Sequence, residues 1–297
     1  MRTALRLVGY AAALALAFGA AWSLGTTVGT PVWTTAGPSP APSPGPTAPP
    51  LPPRPPVDPD PLGLAATAAG YTLVLQTATF VPGQAGELAF AVTGSDGRPV
   101  RTFDARNELP MHVIVVRRDA AGYLHLQPTL GPDGLWRVPL VLPAPGIYRL
   151  YTDFVPTGGP ALVLGTDLFA AGEFVPVPFG PNRVAQIAGY QVRLDGDLVA
   201  GRPSQVFATV SRNGVAVTDL QPYLGAFGHL VALRRNDLGY VQVPPDSVPP
   251  APTDRSGPGI AFTALLPTPG SYRLFLEFRH GPSVHIAEFT VDTRDGA

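Results

Sequence analysis

Cysteine is absent from the 297-residue chain. That excludes disulfides, thiolate metal sites, a cysteine nucleophile and a lipidated N-terminal cysteine. Lysine is absent too, so all 20 basic residues are arginine; they nearly cancel the 21 acidic residues, leaving a formal net charge of −1. A nucleic-acid partner would call for a basic patch, and this balance implies none. Also missing are a Gly-x-Ser-x-Gly elbow, a phosphate-binding loop, a His-Glu-x-x-His pair and a dinucleotide fingerprint. The chain therefore reads as a non-enzyme with no catalytic residues and no cofactor.

What is abundant is proline, 38 residues, and glycine, 33, with much of the proline in one segment. Arg2 and Arg6 precede an apolar run from Leu7 to Trp22, which weakly polar residues extend to Gly29; no charge occurs between Arg6 and Arg54. A span of roughly 20 apolar residues crosses a bilayer as a helix, and the arginines before it stay in the cytoplasm. Residues 1–30 thus predict a single-pass anchor in the cell membrane, with the rest of the chain outside. Gly19-Ala20-Ala21 also offers a small-residue cleavage site, and use of it would release a secreted protein. Both readings export residues 62–297.

Residues 31–65 form a proline-rich stalk, densest at 36–61. Proline lacks the amide donor and fixes φ, so neither helix nor sheet is expected. An extended polyproline segment at about 3.1 Å per residue would hold the C-terminal bulk of the chain tens of ångströms from the membrane.

From Gly70 on, short apolar runs recur at 8–12-residue spacing, punctuated by glycine and proline, with no helical period. This pattern predicts antiparallel β-sandwiches. The run Met111–Arg117, a charged turn, and Tyr123–Pro128 form an organising hairpin. The hairpin recurs as Gly228–Arg234 and Tyr240–Pro244. Each copy starts its apolar run with a histidine, ends it with a double arginine, and places Gly-Tyr after the turn. Pro143–Phe154 likewise recurs as Pro267–Phe278. The offset between copies is 117 at the hairpin and 124 at the last shared strand, so the extra residues fall in the proline-rich loop 245–259, where a shared sandwich tolerates insertion. The expected fold class is all-β: two tandem immunoglobulin-like antiparallel β-sandwiches, residues 66–178 and 182–294, after the membrane helix and stalk. Each is expected to fold by itself, with residues 175–181 as a short, stiff linker.

Five histidines are present, at 112, 125, 229, 280 and 285. A strand alternates its faces, so His112, Ile114 and Val116 point one way. If the turn pairs Val116 with Tyr123, then Ile114 faces His125, and His112, His125 and Gln127 share a face. Two imidazoles and a further donor make a plausible borderline metal site. A one-residue slip removes it. Met111 points to the other face and reads as core. The arginine pairs 117–118 and 234–235, with Asp119 and Asp237, read as solvated turn charges. Asp153 and Glu277 are equivalent, one per repeat, and each is expected beside its own strand surface rather than in a shared site.

The pattern His-Leu-Val-x-Leu-Arg-Arg-x-Asp-Leu-x-Tyr-Val-x-Val-x-Pro, followed by Pro-x-Pro-Gly-x-Tyr-Arg-Leu-Phe-x-x-Phe, resembles exported actinobacterial envelope proteins. It is also similar, more distantly, to YtkA-like β-sandwich domains. The resemblance covers about residues 66–294. It implies a second hairpin strand ending His-x-His-Pro and a copper or heavy-metal role. This chain departs from it: the first copy reads His125-Leu126-Gln127-Pro128 and the second Gln242-Val243-Pro244-Pro245. His112, His125 and His229 match histidine positions of the pattern, with His285 in the last strand as a fourth candidate ligand.

Together these features predict a membrane-anchored, extracytoplasmic, non-catalytic binding or scaffold protein of the cell envelope. Its partners would be the membrane, through the N-terminal helix, and an envelope protein or surface ligand. Copper binding through the hairpin histidines is the first alternative. A surface hydrolase or carbohydrate-binding module is the second.

Overall fold

The computed structural model describes residues 62–294. The expected anchor or signal peptide and nearly all of the expected stalk lie outside the described residues. Within them every regular element is a strand, and no helix is long and apolar enough to cross a membrane.

The first repeat contains β1 (Thr67–Ala68), β2 (Tyr71–Leu75), β3 (Thr79–Phe80), β4 (Ala85–Thr93), β5 (Phe103–Asp104), β6 (Met111–Arg117), β7 (Leu124–Leu126), β8 (Thr129–Leu130), β9 (Trp136–Val141), β10 (Gly146–Pro156) and β11 (Leu162–Ala170). One sheet runs β1-β2-β4-β9-β8 and the other β3-β11-β10-β6-β7. All these pairings are antiparallel except β3 with β11. Between the sheets, Leu88, Phe90, Val113, Trp136, Leu150 and Phe154 help build one apolar core. β11 carries Gly165 and Asp167, two poor strand formers, inside its run. Long pairing with β10, from Gly146–Ala170 to Phe154–Leu162, holds it in the sheet.

The second repeat contains β12 (Val184–Ile187), β13 (Tyr190–Asp195), β14 (Ser204–Arg212), β15 (Val215–Ala216), β16 (His229–Arg234), β17 (Tyr240–Val243), β18 (Gly259–Ala264), β19 (Ser271–His280) and β20 (Ser283–Asp292). Its sheets run β12-β13-β14-β15, with β18 also on β14, and β17-β16-β19-β20. Val192, Val206, Phe262, Leu274, Leu276 and Phe289 contribute to its own core.

Strand β6 is buried at every residue, which explains why its sequence is a continuous apolar run rather than an alternating one. Met111, Val113 and Val115 face the first core. Ile114 and Val116 face away from it, into a third core that they share with Val231, Leu233, Tyr240 and Phe275 of the second repeat. The β6 and β16 sheets thus pack against each other through equivalent faces. The contacts are reciprocal, as across a local two-fold axis. Tyr123 stacks on Phe275 at 4.3 Å between ring centroids. The equivalent pair, Tyr240 with Tyr151, lies at 5.3 Å.

Each repeat thus has a core of its own and shares a third with the other. The linker itself is fastened to both repeats. Arg117 donates to the carbonyl of Val175 at 3.2 Å, and the Val177 amide donates to Asp119 at 2.8 Å. Arg273 of the second repeat stacks on Phe179 at 3.8 Å. The segment after the stalk also enters at the seam. The Leu62 carbonyl accepts from the Tyr240 amide and the Gly63 carbonyl from Arg149. Gly63 has φ +62°, and a β-carbon there would sit 2.5 Å from the Tyr151 ring, so only glycine fits.

Candidate functional site

The double arginines were expected in solvent. The structure corrects this for the first of each pair. Arg117 is buried and binds Asp119 through two parallel bonds of 2.9 and 2.7 Å. Arg234 makes the same fork to Asp237. A fork of this kind satisfies a guanidinium taken out of water. Burial pushes the Asp119 carboxyl up, but hydrogen bonds from Arg117, Val177 and Ala121 outweigh it and hold it below its ordinary value. Arg118 and Arg235 remain exposed.

Beside the apolar seam lies a cleft of about 240 Å³ lined by residues of both repeats, among them Arg106, His112, His125, His229, Gln242 and Glu277. The hairpin register places Ile114 opposite His125. His112 Nδ1 and His125 Nε2 are then 3.1 Å apart. His112 is preceded by a tight turn in which Asn107 and Glu108 both have positive φ, and the turn directs the Arg106 carbonyl at His112 Nε2, 2.8 Å away. The second repeat repeats the device: Leu224 and Gly225 have positive φ, and the Tyr223 carbonyl lies 2.6 Å from His229 Nε2.

These contacts fix the protons. A carbonyl only accepts, so His112 Nε2 carries hydrogen and its Nδ1 accepts from His125 Nε2–H. His125 Nδ1 faces both oxygens of Glu277, at 3.0 and 2.9 Å. A carboxylate only accepts, so His125 Nδ1 carries hydrogen and donates to Glu277 across the seam. Tyr123 donates to the same carboxylate at 2.8 Å. Burial pushes Glu277 up, yet the bonds from His125 and Tyr123 bring it below its ordinary value. Burial lowers His112 to about 4, with the charges of His125, His229 and Arg106 adding to the effect. Burial lowers His229 as well.

Asp153 completes the seam. It accepts from Arg106 at 3.0 Å and, at 3.4 Å, from Tyr240 of the other repeat. Here burial prevails and the carboxyl is raised. Asp153 and Glu277, expected each beside its own strand surface, are both buried at the seam, though no contact joins them. Each faces the tyrosine of the opposite repeat, and His125 acts on both.

Three of the four candidate metal ligands, His112, His125 and His229, line the one cleft. His285 stands elsewhere, its ring 4.4 Å from Tyr190 and 5.3 Å from Phe278. Met111 lies in the first core. Gln127 is exposed and donates to the Tyr223 hydroxyl at 2.9 Å. Among the described residues no three His, Asp or Glu side chains stand together as a metal-holding group. Sequence reasoning missed Glu277, Arg106, Tyr123 and Tyr240 as members of the site. The tyrosine after Gly122 or Gly239 and the paired carboxylates at 153 and 277 were visible as repeated features, but their facing across a seam was not.

The family described as "Domain of unknown function (DUF8832)" matches the chain twice, over residues 66–164 and 185–295. The chain belongs to that family. The two DUF8832 matches coincide with the two sandwiches, and the seam is a contact between two copies of one domain type. No curated protein sequence matches the chain. Among solved structures, the Escherichia coli adhesin FdeC is similar at 12% identity and a TM-score of 0.27, over 77% of this chain and 66% of the adhesin. The titin domains Z1Z2 in complex with telethonin are similar at 11% identity and a TM-score of 0.21, over 78% of this chain and all of that one. InvD of Yersinia pseudotuberculosis is similar at 12% and 0.25, over 77% of this chain and 59% of that one. Likenesses this loose carry no argument about a ligand or partner of the DUF8832 pair.

Proposed function

We propose that the chain is a membrane-anchored, extracytoplasmic binding or scaffold protein of the cell envelope, without catalysis, built of two immunoglobulin-like sandwiches that act as one body. The seam carries this reading. Tyr123, Tyr240, Glu277 and Asp153, the groups with chemical potential, are spent on holding the two repeats together. The linker and the entry segment are pinned to the same assembly, as a presenting platform requires. Arg2, Arg6 and the apolar run after them support export. Protease added to intact spheroplasts should digest residues 62–297. Full protection would contradict export. Site-specific photocrosslinking from the cleft residue Asn107 in intact cells should then give one discrete adduct with an envelope partner. Absence of any adduct would contradict a binding role for this face.

One observation favours a second reading, metal handling with copper as the first candidate. The ring nitrogens of His112 and His125 face each other at 3.1 Å, and each ring's other nitrogen is held by a fixed acceptor. Titration of the chain with copper followed by thermal melting tests it: an ion that binds only the folded state raises the melting temperature. An unchanged melt at saturating copper contradicts this reading.

A further inference from the structure

Resting on the metal reading, we propose that the site is composite: His112 Nδ1 and His125 Nε2 of the first repeat and His229 Nδ1 of the second bind one copper(II) or zinc(II) ion, which bridges the repeats. The organising hairpin by itself brings together only the two imidazoles of the first repeat. The structure points across the seam.

The nitrogen spacing fits an ion. Two nitrogens bound to one ion at about 2.0–2.1 Å in tetrahedral geometry are separated by about 3.3 Å. His112 Nδ1 and His125 Nε2 are 3.1 Å apart.

The far nitrogens are anchored as a ligand set requires. A metal-bound imidazole donates its other N–H to a carbonyl or carboxylate, which fixes the tautomer and the ring. His112 Nε2 has the Arg106 carbonyl, His125 Nδ1 has Glu277, and His229 Nε2 has the Tyr223 carbonyl. All three rings therefore turn a lone pair, or a displaceable hydrogen, away from these anchors. The anchor of His125 comes from the second repeat, so even the first-repeat pair is oriented across the seam.

The near nitrogens can be freed for a metal. His112 Nδ1 and His125 Nε2 share one hydrogen. Binding the ion releases it to solvent as a proton and frees the His125 Nε2 lone pair for the metal. His229 Nδ1 has no hydrogen-bond partner among the described residues. His229 lines the same cleft of about 240 Å³, which leaves room for water as a fourth ligand. The three imidazoles do not stand together as a ligand set in the structure, so the composite site requires His229 to turn toward the first-repeat pair. Imidazole ligands without thiolate or thioether suit copper(II) or zinc(II) rather than copper(I). Gln242 occupies the place in the second repeat that His125 has in the first. Its Oε1 is buried without a partner, so this corner is open to a stronger ligand.

The test titrates the full-length chain with copper(II) or zinc(II) chloride, reading stoichiometry by calorimetry and ligand number by nitrogen hyperfine splitting in the copper(II) electron paramagnetic resonance spectrum. One ion per chain with three nitrogens is expected. His112→Gln, His125→Gln and His229→Gln should each weaken binding about tenfold or more, and Glu277→Gln by ~10–100-fold. His285→Gln should leave binding unchanged, and Gln242→His should tighten it. If His229→Gln binds like the wild type while His112→Gln and His125→Gln lose the ion, the composite site is wrong and the first-repeat site stands. No binding by the wild type overturns both. Should His229→Gln melt poorly without metal, the wild-type spectrum decides: three nitrogens support the composite site and two overturn it.

Discussion

At position 125 the first repeat carries histidine, and at the equivalent position 242 the second carries glutamine. At 106 the first has arginine, where the second has Tyr223. Around these differences the frame is unchanged. Both repeats point a turn carbonyl at the histidine that begins the buried strand, and both set a tyrosine against an aromatic ring of the other repeat. The backbone device is shared, but the charge is not. Glu277, bound by His125 and Tyr123, is held below its ordinary value; Asp153, bound by Arg106 and more distantly by Tyr240, is raised by burial. A duplicated fold has kept the joint and made its two halves chemically unequal.

Separating the repeats is the harshest way to break this comparison. Residues 182–297 alone would expose Val231, Leu233, Tyr240 and Phe275, which the seam buries. Each such side chain contributes about 1.5–3 kcal/mol on burial, so the group rivals the stability of a whole domain, roughly 5–15 kcal/mol. The isolated second repeat should melt far below the intact chain and self-associate through this face. A cooperative monomeric melt at the temperature of the intact chain would contradict the seam.

Removing one carboxylate at a time sharpens the comparison. Glu277→Ala leaves two buried donors, the His125 ring N–H and the Tyr123 hydroxyl, without an acceptor, and should cost about 2–6 kcal/mol at ~1–3 kcal/mol for each. Asp153→Ala should cost less, about 1–3 kcal/mol, because the Arg106 side chain is 40% exposed and regains water. Denaturant melts of the two variants check the order. Equal losses would mean the two halves are equivalent after all.

The turn pairs give a smaller contrast. Asp119 binds Arg117 and also the linker amide of Val177, whereas Asp237 is 39% exposed and binds no linker. Asp119→Asn should cost about 1.5–3 kcal/mol and Asp237→Asn about 0–1 kcal/mol. Both carboxyls are held below their ordinary value. Their stabilisation is therefore complete above the unfolded carboxyl pKa of about 3.9 and is lost as the pH falls through the lower folded value. Below that range the two variants and the wild type should converge.

Much of the frame was legible. The tandem repeat and the inward face of β6 follow from an apolar run, a double arginine and a Gly-Tyr step that occur twice; the hairpin register does not, since a one-residue slip suits the same residues. The seam was not legible. Periodicity says which residues share a face, but a strand buried on both faces looks the same whether its outer face meets a loop or a second domain. Glu277 is 152 residues from His125, and no local pattern joins them. Arg117 looks like a turn charge until its fork to Asp119 shows how a guanidinium can be buried. Gly63 reads as the end of a stalk, and only the Tyr151 ring against it reveals that the fold has begun.

The central claim is that the two repeats form one body through a polar and apolar seam. A double-mutant cycle between Tyr123→Phe and Glu277→Gln tests it most directly, because the two side chains belong to different repeats and meet only there. Residues in contact couple by about 0.5–3 kcal/mol, and distant ones add within error. The account predicts a coupling of at least about 1 kcal/mol in the melting of the intact chain. Additive losses would mean that Tyr123 and Glu277 do not touch, and that the two sandwiches are joined by their linker alone.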